Sequence, residues 1–73
     1  MKKNLRKILE TKIQNKYKVK EPGWVYVDIT RNRKIHVTIV TENEIIKDEL
    51  RSFIKKEIEM EDEEYMIGFI NIY

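Results

Sequence analysis

Leu5, Ile8, Leu9, Ile13 and Tyr17 recur at helical spacing and fall within an arc of about 180° at 3.6 residues per turn. Lys3, Arg6, Lys7, Glu10, Thr11 and Gln14 take the remaining circumference, so the spacing predicts an amphipathic helix over residues 3–16. Lys16 falls inside the apolar arc, and the helix must either stop there or let that side chain snorkel to water. Pro22-Gly23 predicts a turn, because proline fixes φ and glycine accepts a positive one. Residues 24–30 and 35–41 then alternate with period two and are rich in β-branched and aromatic side chains, the pattern of two strands.

These strands predict a hairpin whose register follows from the pleat, since a slip of one residue would set apolar against polar positions. Pairing Val25 with Ile39, Val27 with Val37 and Ile29 with Ile35 satisfies this and leaves a three-residue loop, Arg31-Asn32-Arg33. Asn32 or Arg33 takes the left-handed position, Asn at lower cost. Thr41-Glu42-Asn43-Glu44 matches the capping box T-x-x-E and predicts that a second helix starts there. Ile46, Leu50, Phe53, Ile54 and Ile58 form its apolar stripe, and it runs to about residue 59. After the acidic run Glu61-Asp62-Glu63-Glu64, residues 65–73 read as a third strand in which Gly68 marks a bulge or a close approach.

The expected fold is one small α+β domain over residues 1–73, of order αββαβ, with a three-stranded sheet and two helices packed on one face. The third strand must return through a crossover. It can join either side of the hairpin, and the side of the first strand, giving an all-antiparallel sheet, is the expectation. The order is similar to that of KH-related RNA-binding domains and of BON-type modules. The GxxG loop of the former and the strand glycines of the latter are absent, so neither resemblance assigns a role to any residue.

A chain of 73 residues buries only about 60% of the surface its unfolded form exposes, which leaves a partner something to add. With no cysteine, no disulfide or thiolate metal site can staple the fold. A soluble, cytoplasmic protein with no membrane span and no cofactor is expected. The net charge of +2 conceals a polarity: residues 1–20 carry eight Lys/Arg and one Glu, whereas residues 42–73 carry four basic and ten acidic groups.

Enzyme chemistry has few candidates. Ser52 lies on the polar face of the second helix, and His36 stands opposite Asp28 in the hairpin register, where an imidazole–carboxylate pair can form. No nucleophile accompanies that pair, and the isolated glycines make no phosphate-binding loop. The acidic run lacks the D-x-D-x-D-G spacing of a calcium loop. No enzyme and no small-molecule substrate are expected.

Trp24 and Tyr26 point away from the core-facing valines, and the third strand has large apolar residues at both parities, so at least one apolar set lies on the outer sheet face. Exposed apolar patches of that kind mark interaction sites. The expected function is therefore a protein-interaction module that self-associates through a sheet face or edge, with Trp24, Tyr26, Phe69 and Tyr73 as contact residues. A second expectation is binding of RNA or single-stranded DNA through Arg6 and Lys7 of the first helix and Arg31, Arg33 and Lys34 at the hairpin tip. A small phage or mobile-element inhibitor of a host protein is a third.

Overall fold

The computed structural model describes residues 4–73. Helix α1 spans Leu5–Tyr17, a 3-10 turn covers Pro22–Trp24, strands β1 and β2 span Val25–Ile29 and Lys34–Ile39, helix α2 spans Lys47–Ile58, and β3 spans Met66–Ile72. The α+β class and the αββαβ order are as expected. Lys3, placed in the first helix by its spacing, lies outside the described residues.

Helix α1 starts where Asn4 Oδ1 accepts the Lys7 N–H at 3.2 Å, satisfying one of the free donors of the first turn. It continues through Lys16, whose ammonium lies 5.6 Å from the Tyr17 ring centroid and 5.1 Å from that of Phe53. The apolar arc thus tolerates the lysine by turning it across aromatic faces. The helix ends at Lys18, which is left-handed (φ 54°, ψ 45°) and donates its N–H to Gln14 O. That conformation costs a non-glycine residue about 1–2 kcal/mol. Asn43 holds it, its Nδ2 donating to Tyr17 O at 3.0 Å and Lys18 O at 3.4 Å.

The chain turns at Pro22-Gly23 as expected, but with 3-10 geometry and no positive φ at the glycine. The hairpin has the predicted register, Val25 opposite Ile39, Val27 opposite Val37 and Ile29 opposite Ile35. Arg33, not Asn32, takes the left-handed position, at φ 61°. In a three-residue loop the left-handed residue follows a type I turn. Here Arg33 N–H donates to Thr30 O at 2.9 Å, so loop length overrides residue preference.

The capping-box expectation fails. Helix α2 begins at Lys47 with Ile46 as an N-cap that supplies no side-chain bond. Thr41 remains tied to the sheet, donating its N–H to Tyr73 O at 3.0 Å, and its hydroxyl accepts the Asn43 N–H in a local turn. Ile46 is consequently half exposed and Ile45 packs against the core in its stead. Asp48 and Glu49 in the first turn supply the negative charge that a helix N-terminus favours.

The strand order is β1-β2-β3, with β1 and β2 antiparallel and β3 parallel to β2. This corrects the all-antiparallel expectation. The outer edge of β1 is already engaged, because the Glu10 carboxylate on α1 accepts the Val27 N–H at 2.9 Å. The returning strand joins the edge of β2 that is left open. Its register shifts between Ile35 and Val37, so that Gly68 and Phe69 together face His36. This is a β-bulge, and it changes the parity of the strand. Ile67, Ile70 and Ile72 all turn toward the helices, opposite Ile35, Val37 and Ile39. The apolar character of both parities in the sequence is thereby explained.

The core comprises Leu5, Leu9 and Ile13 of α1, Leu50, Ile54 and Ile58 of α2, the inner residues of the sheet, and Val19. Among the described residues no polar or charged one is buried. Lys12 Nζ and Glu57 Oε2, 2.7 Å apart, tie the two helices at the surface.

Candidate interaction face

Both helices cover the inner face of the sheet, so the residues of opposite parity form a bare outer face. It can be read in rows across the strands. Trp24, Val40 and Tyr73 make the first row, tied by Val40 N–H to Trp24 O (2.8 Å) and Thr41 N–H to Tyr73 O (3.0 Å). Tyr26, Thr38 and Asn71 make the second, and Asp28, His36 and Phe69 with Gly68 the third. Lys34 and Met66 close the face at the hairpin end.

Tyr26, Phe69 and Met66 are 52%, 50% and 63% exposed, large apolar side chains sharing one face of the kind that marks contact surfaces. Asp28 and Lys34 are the charged residues of these rows, in a chain that is 38% charged. Charge depletion of this kind characterises the centre of interfaces.

His36 is the rigid element of the face. Its ring stacks on Phe69, centroids 4.2 Å apart at 18°, and its Nδ1 accepts the Phe69 N–H at 3.1 Å. The bulge N–H that leaves the ladder is thereby satisfied. Accepting at Nδ1 requires the neutral imidazole to carry its proton on Nε2. Asp28 stands opposite His36 in register, yet the imidazole turns to β3, so the expected imidazole–carboxylate pair does not form. Gly68 lets the imidazole lie here, because a Cβ at this position would overlap His36 Cε1 and Nδ1.

The other polar candidates lie elsewhere. Ser52 lines an open groove on the helical layer with Lys16, Asp48, Glu49, Phe53 and Lys56, on the opposite side of the sheet from His36. Arg31, Arg33 and Lys34 occupy the hairpin tip, where Arg33 Nη1 lies 3.6 Å from Glu63 Oε2 of the acidic run. Arg6 and Lys7 are exposed on the first turns of α1, in the helical layer. Among the described residues, no three His, Asp or Glu side chains gather as a metal site, and no helix is long and apolar enough to cross a membrane.

At the far end of the sheet from the hairpin tip, Trp24, Val40 and Tyr73 line a groove of about 590 Å³ together with Lys18, Lys20, Thr41, Glu42 and Asn43. The sequence pattern could not reveal it, because these residues meet only once β3 lies beside β2. No protein-family model, curated protein or solved structure matches this chain.

Proposed function

We propose that the protein is a non-enzymatic interaction module that self-associates by packing its outer sheet face against the same face of a second copy. The observation that carries this reading is the exposure of Tyr26, Phe69 and Met66 on one sheet face that no helix covers. A two-fold contact must be self-complementary. One acidic and one basic residue, Asp28 and Lys34, suit a face that meets itself, whereas a face of one sign would repel its copy.

Each large side chain fully buried contributes roughly 1.5–3 kcal/mol, so Tyr26 and Phe69 from both copies would dominate the contact. Sedimentation equilibrium at micromolar concentration should report a mass above the 8.9 kDa of the chain, and the melting temperature should rise with concentration. Tyr26→Glu should shift the mass toward monomer while circular dichroism stays native. A wild type that remains monomeric, with a melting temperature independent of dilution, overturns this reading.

A further inference from the structure

The groove at the end of the sheet is lined by the aromatic Trp24 and Tyr73, the apolar Val40 and the basic Lys18 and Lys20. Trp24 enters β1 and Tyr73 leaves β3, with Val40 of β2 between them. Strands lie about 4.8 Å apart, so these two rings rise from positions about 9.6 Å apart. A planar ring stacked between two others needs a separation of about 7 Å, twice the optimal carbon–carbon contact of about 3.5 Å. A modest inward lean of the two side chains closes the difference. Trp24 is 43% and Tyr73 71% exposed, so both have faces to offer.

The backbone beneath Lys18 is held in place. Lys18 is fixed in its left-handed conformation by the Asn43 amide, and Asn43 is itself anchored by its N–H to Thr41 Oγ1 at 3.0 Å. Lys18 and Lys20 face one acidic side chain among the lining residues, Glu42. The groove volume of about 590 Å³ falls within the range of small-ligand sites, roughly 300–1,000 Å³.

We propose that this groove binds a nucleotide, with the base stacked between Trp24 and Tyr73 over Val40 and the phosphate paired with Lys18 and Lys20. Aromatic faces accept any base, and lysine ammoniums supply point-charge recognition of phosphate. The same chemistry is offered by a free mononucleotide and by one residue of a single strand. It does not use Arg6, Lys7 or the hairpin-tip arginines, which lie outside the groove, and it adds a small-molecule class that the glycine pattern did not suggest.

Trp24 is the single tryptophan of the chain, so its fluorescence reports the site directly. The full-length protein is titrated at low salt with AMP, UMP, adenosine and the oligonucleotides rU8 and dT8. Saturable quenching by AMP or UMP assigns the site to free nucleotides, and quenching by the oligonucleotides alone assigns it to a single strand. Either outcome supports the proposal. Adenosine should bind at least tenfold more weakly than AMP, and Lys18→Gln/Lys20→Gln should remove that difference. Tyr73→Ala should weaken quenching at least tenfold, and circular dichroism checks that each variant is folded. The titration is repeated in Tyr26→Glu, so that loss of self-association and loss of ligand binding are read separately. Absence of saturable quenching by every probe at millimolar concentration, or adenosine binding as tightly as AMP, overturns the proposal.

Discussion

Gly68→Ala tests the device that organises the outer face. The glycine φ is not positive, so alanine suits the backbone and the penalty is steric. A Cβ at this position overlaps the half-buried imidazole of His36, which must swing away. It then loses the Phe69 N–H it accepts, a bond contributing about 1 kcal/mol, and its stack on Phe69, contributing about 0.5–1.5 kcal/mol. Against this, alanine lowers the entropy of the unfolded chain and returns about 0.4–1 kcal/mol. The net cost is about 0.5–2 kcal/mol. With a urea m-value of about 1 kcal/mol/M for so small a domain, the unfolding midpoint should fall by about 0.5–2 M. In a His36→Ala background the clash is gone, and the same substitution should be neutral or slightly stabilising. The two changes should therefore couple by at least about 1 kcal/mol in a double-mutant cycle. A Gly68→Ala midpoint equal to that of the wild type, or an equal cost in both backgrounds, would refute the reasoning.

Tyr17 offers a complementary test, because its hydroxyl is buried without a hydrogen-bond partner, and Tyr17→Phe should raise stability by about 1 kcal/mol in thermal or urea unfolding. Burial, and secondarily the Glu49 carboxylate, raise the Tyr17 pKa above 10.0. The folded state thus holds this proton more tightly than the unfolded one, and wild-type stability should fall as pH rises past 10, a loss that Tyr17→Phe should lessen. Arg33→Gly should stabilise by up to about 1 kcal/mol, because it relieves a left-handed residue and gives up only an exposed ion pair of small worth. Thr41→Ala should cost under about 0.5 kcal/mol, since Thr41 caps no helix, whereas Asn43→Ala should cost about 1 kcal/mol by freeing two carbonyls at the end of α1. A reversed ranking of these two midpoints would restore the capping box.

The contrast between the features that were legible and those that were not follows from the range of the interactions that decide them. The hairpin register was readable because both strands alternate with the same period, and every slip would have exposed Val27 and Val37, which are fully buried. The start of α2 was not, because the local T-x-x-E pattern lost to a bond between Thr41 and Tyr73 at the far end of the chain. Gly68 signalled a bulge, but its consequence, three isoleucines brought to one face, depended on His36 of a neighbouring strand. The groove depended on strand order itself. Had β3 joined β1, Tyr73 would stand one strand spacing from Trp24, about 4.8 Å, and the two rings would contact each other with no room for a base. With β2 between them the spacing doubles, Val40 stands between them in the row, and the three residues line one groove. At the other edge the Glu10 carboxylate occupies the Val27 N–H. Glu10→Ala should therefore weaken the definition of the β1 edge, and amide hydrogen exchange at Val27 should accelerate while that at Tyr73 does not. Equal protection at Val27 in the variant would mean that another feature keeps β3 from the first strand.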